Sequence, residues 1–138
     1  MKVKSLSAGI IVTRKTQQGC YFLLLRAYNY WDFPKGIVES GEDAFLAACR
    51  EAEEEASLKD LTFPWGKIYR ETEPYGTGKI ARYYLAETNV SEIILPVSAE
   101  LGRPEHDEYR WLAYPEARAL LTARLIPILD WAHAVTGC

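Results

Sequence analysis

Hydrophobic positions along this chain fall into short runs, then one long helical stripe, then short runs again. Ser7 to Thr13 carries the apolar stretch Gly9-Ile10-Ile11-Val12, and Tyr21 to Leu25 is apolar without a break. Both predict buried strands, joined by the polar turn Lys15 to Gly19. Trp31-Asp32-Phe33-Pro34-Lys35-Gly36 interrupts the pattern, and Pro34 with Gly36 predicts a loop or a bent edge strand. Asp43 to Ala56 has no internal Gly or Pro and is rich in helix formers, so it predicts a helix. Ser40 is its expected N-cap, and Glu42 and Asp43 suit the positive end of the helix dipole. At about 100° per residue, Phe45, Cys49, Ala52 and Ala56 share one side, and Glu51, Glu54 and Glu55 the opposite one. Glu53 falls near the apolar side with no evident role. Lys67 to Glu73 and Lys79 to Thr88 then predict two strands around a turn at Tyr75-Gly76-Thr77-Gly78, and Glu108 to Ala113 a further short strand. Pro115 opens a helix running to about Thr122. Leu125 to Val135 is the last, with Pro127 tolerated in its first turn. Strands, a helix, strands and two helices imply an α+β fold or a layered αβα sandwich rather than a regular βαβ alternation.

Composition narrows the class. The 138 residues, 49% hydrophobic and 25% charged, suit one domain over 1–138 with a real core and exclude disorder, collagen and coiled coil. The longest apolar run, Cys20 to Leu25, is far short of the roughly 20 residues a membrane-spanning helix needs. The basic start, Met1-Lys2-Val3-Lys4, is followed by no small-residue cleavage site, so no signal peptide is read and a soluble, cytoplasmic protein is expected. Cys20, Cys49 and Cys138 have neither metal-like nor redox-like spacing, and are expected to be buried or idle thiols rather than a disulfide frame. His106 and His133 each lack a second ligand at helical spacing, which disfavours zinc.

Charge adds more than its net value of -3. Between Glu39 and Glu55 lie seven acids (Glu39, Glu42, Asp43, Glu51, Glu53, Glu54 and Glu55) against one base, Arg50, while the rest of the chain is mildly positive. Such a knot repels itself unless it is spread over a solvated helix face or holds a cation. Glu51, Glu54 and Glu55 stand at i, i+3 and i+4, so their carboxylates converge on one patch. A hard divalent cation with oxygen preference, Mg²⁺ or Mn²⁺, relieves their repulsion. Ions so held can clamp a pyrophosphate and activate water for attack at phosphorus. Arg50 lies one turn before Glu54 and can pair with it, fixing its rotamer. Gly36 lets a loop backbone come close to that patch. An acidic run alone reads as a solvated stripe; with Gly36, Glu42 and Arg50 in register it reads as a metal site.

Gly36, Glu42, Arg50, Glu51, Glu54 and Glu55, with Ala52 and Leu58 at the aliphatic positions, resemble the Nudix box. That signature is Gly-x5-Glu-x7-Arg-Glu-U-x-Glu-Glu-x-Gly-U, where U is a bulky aliphatic residue. Ala52 is small for its position, and Ser57 stands where the family has Gly. If the helix ends at Ser57 in the left-handed conformation, the missing Gly costs ~1 kcal/mol and leaves the acidic patch untouched. The resemblance implies that the Gly36 carbonyl is a metal ligand together with the carboxylates.

Further segments are similar to diadenosine tetraphosphate hydrolases within that family: Phe22-Leu23-Leu24-Leu25, Trp31 to Gly36, Tyr84-Leu85-Ala86-Glu87, and Tyr109-Arg110-Trp111-Leu112 with Glu105-His106 before it. Together they cover most of residues 5 to 120. The resemblance implies the Nudix αβα sandwich with a mixed sheet between helices, and hydrolysis of a dinucleoside polyphosphate into ATP and AMP. By it, Glu51, Glu54 and Glu55 are metal ligands, and one of the last two helps to activate water. Glu105 completes the metal site or acts as base, with Glu108 as the alternative and a surface loop acid as the plain reading. Lys35 faces the phosphates, or is a solvated loop lysine. Tyr75 and Lys79 occupy the turn where relatives grip the phosphate chain, although that loop is shorter here and Tyr75 also reads as a turn aromatic. Arg26 adds a phosphate contact, or is a strand-end charge.

One departure bears on the base. Relatives stack adenine on an aromatic residue between the two C-terminal helices, where this chain has Ala123-Arg124-Leu125. Arg124 offers a guanidinium plane for stacking. Tyr28, Tyr30 and Trp31 are substitutes that also read as packing residues, Trp31 above all. The box holds a diphosphate and not what is attached to it, so the same chemistry on a nucleoside triphosphate, an RNA 5′-triphosphate end or a diphosphoinositol phosphate stays open. A non-catalytic nucleotide-sensing domain is the reading from another class; loss of a catalytic Glu is its mark, and all are present. The partner implied is a small nucleotide. A pI of 5.4 offers no basic stripe for nucleic acid, and no DNA-binding motif or membrane anchor is evident.

Overall fold

In the computed structural model, which describes residues 5–138, the two apolar runs of the sequence become the longest hairpin of the sheet. β1 (Ser5–Thr16) and β2 (Gly19–Ala27) pair antiparallel, with Thr16 opposite Gly19 at the turn. The basic Met1–Lys4 stretch lies outside the described residues. The interrupted Trp31–Gly36 segment resolves into two short strands on either side of Pro34. β3 (Tyr30–Asp32) pairs with β2, and β4 (Lys35–Ile37) pairs with β1. Gly9 permits the second pairing, because a Cβ there would collide with the Pro34 carbonyl and the Lys35 side chain. α1 (Ala44–Ala56) follows. Next come β5 (Tyr69–Glu71), β6 (Lys79–Glu87) and β7 (Glu108–Leu112), then α2 (Tyr114–Leu120) and α3 (Ile126–Thr136).

The sheet runs in the order β3-β2-β1-β6-β5, with β4 joined to β1 and β7 to β2. β1 and β6 are parallel over nine residue pairs and the other pairings are antiparallel, so the sheet is mixed. Both of its faces are covered, and this is why its central strands read as unbroken apolar runs. Ile10, Val12, Leu23, Leu25, Tyr84 and Ala86 point to the side carrying Ala47, Ala48, Ala52 and Ala56 of α1. Their alternates Ile11, Phe22, Leu24, Tyr83 and Leu85 point to the side carrying Ala117 of α2 and Ile128, Leu129 and Ala132 of α3. The fold is the expected α+β arrangement, an αβα sandwich with a mixed sheet between helices.

Three local expectations are corrected. Asp43, not Ser40, caps α1: its side chain accepts from the Leu46 N–H at 3.1 Å. Glu42 is drawn back to the Glu39 N–H and to Arg50, so the helix starts after it. The buried face of α1 is also rotated from the expected one. Small alanines sit deepest and Phe45 and Cys49 flank them, which leaves Glu51 and Glu55 buried at the margin rather than opposite the core. Finally, Cys20 and Cys138 form a disulfide, with Cα atoms 5.2 Å apart, and only Cys49 remains a free thiol. The two are 118 residues apart in sequence, but β2 and the end of α3 meet in the same core cluster on one face of the sheet.

Other details agree with the reading from the sequence. Ser57 ends α1 in the left-handed region (φ 57°), its N–H donating to the Glu53 carbonyl and that of Leu58 to Ala52. Glu53, expected near the apolar side, is by contrast exposed, 3.8 Å from Lys59, because the buried face of α1 is rotated away from it. No helix among the described residues is long and apolar enough to cross a membrane.

Candidate active site

The acidic turns of α1 and the β4 strand face each other, and Arg50 organises the space between them. Its Nε donates to Glu42 at 2.8 Å and its Nη2 donates to Glu42 at 3.0 Å. Nη1 donates to Glu51 at 3.0 Å and to Glu54 at 3.2 Å, and Nη2 also reaches the Ile37 carbonyl at 3.2 Å. One guanidinium therefore ties the loop before α1, the strand beneath it and two carboxylates of the helix. The hydrogen bonds from Arg50 hold the Glu42 carboxyl down at about 2. They hold the Arg50 guanidinium charged across any working pH.

Glu51 and Glu55 behave differently, because both side chains are buried. Desolvation, then the neighbouring charge of Glu54, raises the Glu51 carboxyl. Glu55 is pushed up to about 10, first by burial and then by the Glu105 carboxyl; the Lys35 backbone N–H, which donates to Glu55 Oε1 at 3.1 Å, opposes this. Glu55, so raised, holds a proton that it could exchange for a cation. Gly36 lies directly under Glu51, where any Cβ would overlap the carboxylate. The signature glycine is thus required by the side chain one layer above it.

Glu105 and His106 reach this patch from the loop before β7. One ligand atom each from Glu55, Glu105 and His106 lie within 4.8 Å of one another. His106 Nδ1 is 4.0 Å from Glu55 Oε1, buried and without a hydrogen-bond partner, and burial lowers the affinity of the imidazole for a proton. An oxygen-rich set with like charge and an orphaned buried nitrogen beside it fits a divalent cation. His106 had no role in the reading from the sequence, since Glu55 reaches it from α1 and not from helical spacing. Glu108, the alternative to Glu105, points elsewhere. It accepts from Arg26 at 2.9 Å and from Arg110 at 2.7 Å, which hold its carboxyl down.

A groove of about 720 Å³ runs over these carboxylates, and it brings Lys35, Tyr75 and Lys79 to the same space as Arg50, Glu51, Glu54, Glu55 and Glu105. Tyr75 and Lys79 close the β5–β6 turn by exchanging two backbone hydrogen bonds of 2.9 Å. Lys35 Nζ lies 3.7 Å from Asp32. Arg26 is not brought to the groove: besides Glu108, its guanidinium donates to the Tyr28 carbonyl at 2.7 Å and lies 3.6 Å from Asp107. Arg124 stacks on Tyr75, its guanidinium carbon 4.1 Å from the ring centroid. Tyr28 and Tyr30 are exposed, whereas Trp31 is buried in the core.

Known proteins resemble this chain over most of its length. The asymmetrical bis(5′-nucleosyl)-tetraphosphatase of Caenorhabditis elegans is 33% identical over 133 residues, spanning 92% of this chain and 86% of that protein. The RNA pyrophosphohydrolase of Shewanella pealeana is 32% identical over 122 residues, spanning 78% of this chain and 69% of that protein. A solved binary complex of the C. elegans Ap4A hydrolase superimposes with a TM-score of 0.80 at 26% identity, covering 98% of this chain and all of that one. The NUDIX domain pattern itself matches residues 3–132, a span that includes Gly36 and the acidic helix, and this chain therefore belongs to the Nudix family.

Proposed function

We propose that this protein hydrolyses a phosphoanhydride bond of a dinucleoside polyphosphate, taking diadenosine tetraphosphate and water to ATP and AMP, with Mg²⁺ or Mn²⁺ as cofactor. The observation that carries the reading is the meeting of two kinds of group in one groove: carboxylates of α1, two of them buried, and Lys35, Lys79 and Tyr75. Glu51, Glu54, Glu55 and Glu105 with the Gly36 carbonyl are the donors that would hold the ion. When bound, it neutralises the charge of the pyrophosphate and makes water a better nucleophile.

The chain's own groups do the rest. Lys35, Lys79 and Tyr75 are suited to bind and orient phosphate oxygens, the two ammonium groups by charge and the phenol by its O–H. Arg50 holds Glu51 and Glu54 in one register. A carboxylate from Glu54, Glu55 or Glu105 accepts a proton from the attacking water. The new P–O bond forms as the anhydride P–O bond breaks, and the departing phosphate leaves with the electron pair. Arg26 is left out of the substrate set, since its guanidinium is engaged by Glu108 and Asp107.

The relative from Shewanella favours a second reading, removal of pyrophosphate from an RNA 5′ end. An acidic chain with two lysines in its groove supports the smaller substrate better. A panel of dinucleoside polyphosphates, nucleoside triphosphates, diphosphoinositol phosphates and 5′-triphosphorylated RNA, assayed with Mg²⁺ in ¹⁸O-labelled water, tests both. Expected is ¹⁸O-labelled AMP or ATP from diadenosine tetraphosphate at the highest kcat/KM. A higher kcat/KM on RNA ends would overturn the first reading in favour of the second.

A further inference from the structure

Asp32, at the end of β3, divides its two carboxylate oxygens between different tasks. Oδ1 accepts from the Tyr83 hydroxyl at 2.8 Å and from the Phe33 N–H at 2.7 Å, both inside the sandwich. Oδ2 faces two cations, Lys35 Nζ and Arg124 Nη2, each at 3.7 Å. Among the described residues, Asp32 is the only carboxylate within ion-pair distance of either one. All three side chains are about four-fifths to three-quarters shielded from solvent, so the pairing is screened far less than a surface bridge. Lys35 lines the groove itself. Arg124 covers one face of the Tyr75 ring, and Tyr75 also lines the groove. The two groove residues come from elements that do not touch in sequence, the strand β4 and the β5–β6 turn; their common tie is one oxygen atom.

We propose that Asp32 is a positioning residue for the phosphate-binding side of the groove: through Oδ2 it anchors Lys35 directly and Tyr75 by way of Arg124. The proposal deepens the hydrolase reading and rests on it for its kinetic part. Free of this anchor, the long Lys35 side chain regains its rotamers, and the Arg124 guanidinium loses the charge that holds it against the ring. Both losses act on substrate held before reaction as much as on the transition state, so they fall on KM rather than on kcat.

The division of labour between the two oxygens supplies a clean variant. Asp32→Asn keeps an acceptor at Oδ1 for Tyr83 and Phe33, and places a neutral amide where Oδ2 faced the cations. In the folded variant, KM for the polyphosphate rises about tenfold while kcat changes less than about threefold. Ring-flip rates of ¹³C-labelled Tyr75, measured by NMR without substrate, increase in the same variant. Arg124→Gln, which leaves both short bonds to Asp32 in place, also speeds the ring, adds nothing to it when combined with Asp32→Asn, and stands as the test if Asp32→Asn does not fold. An unchanged KM, a fall in kcat alone, or unchanged ring flips in both variants overturns the proposal. If the wild-type protein turns over no phosphoanhydride at all, the hydrolase reading fails instead, and the ring-flip comparison still decides whether the anchor exists.

Discussion

The carboxylate of Glu51 rests on the Cα of Gly36, with no room between them for a single methyl group. This contact joins the third turn of α1 to β4 and places a buried acid against the strand backbone. Gly36→Ala forces Glu51, or the strand, to move. Since Glu51 is also tied to Arg50, the shift spreads to Glu54. Overpacking of this kind costs about 1–3 kcal/mol, and misplaced donors commonly cost 10–100-fold in activity or metal affinity. Thermal unfolding and Mg²⁺ titration of the variant check both, and unaltered values would show that the contact is dispensable.

Glu54 and Glu55 sit one residue apart and are predicted to fail differently. Glu54 is half exposed and held by Arg50, whereas Glu55 is buried against Glu105 and His106. Glu54→Gln removes charge that solvent and Arg50 already screen, so its stability changes by less than about 1 kcal/mol. Glu55→Gln removes a carboxyl that is protonated in the ion-free protein, and an amide of the same shape replaces it with similar ease. Turnover should fall by ~10²-fold or more in each, because on the proposed function each loses a ligand or proton acceptor. Steady-state kinetics beside melting curves separate the two effects.

Glu55 also fixes a pH dependence. Its folded value, about 10, lies above the ordinary 4.5, so between these pH values the native state keeps a proton that the unfolded chain has lost. More protons bound in the native state means that stability declines as pH rises through that window. For one proton the slope is at most about 1.4 kcal/mol per pH unit. Below 4.5 both states are protonated and the contribution is complete; above 10 it is gone. In EDTA, melting temperatures from pH 6 to 9 should fall more steeply for the wild type than for Glu55→Gln. On the proposed function an ion at Glu55 would take the place of that proton, so Mg²⁺ calorimetry in buffers of different ionisation enthalpy should register proton release on binding in the wild type and less in the variant.

The layers of the fold were legible because local pattern and tertiary role coincide. Ile10 to Val12 and Phe22 to Leu25 alternate between two covered faces, and so read as unbroken apolar runs. The spacing of Glu51, Glu54 and Glu55 around Arg50 survives folding because a helix conserves angular relations. Contacts made across the sheet had no such signal. His106 meets Glu55 only when the β7 loop comes down on α1, and Asp32 meets Arg124 only when the α2–α3 loop packs against β3. The burial of Glu51 and Glu55 was missed for a related reason: alanines let α1 lie close to the sheet, and the buried arc widened to take in its acidic margin.

The disulfide is the largest correction, and it carries the last prediction. Cys20 lies on β2 and Cys138 follows α3, so the bond closes most of the chain into one loop. Its clasp holds α3 onto the sheet next to Ile128, Leu129 and Ala132. In the chain-entropy account, cross-linking a loop of this length removes about 4–5 kcal/mol of unfolded-state freedom. Reduction with dithiothreitol, or Cys138→Ser, should therefore lower the melting temperature by roughly 15 °C and make the end of α3 the first segment to exchange its amide hydrogens. The carboxylates of α1 lie on the opposite layer, so Mg²⁺ affinity in the folded, reduced protein should be unchanged. Equal melting temperatures with and without reductant, with thiol titration showing two additional free cysteines after reduction, would mean that packing alone holds α3 in place.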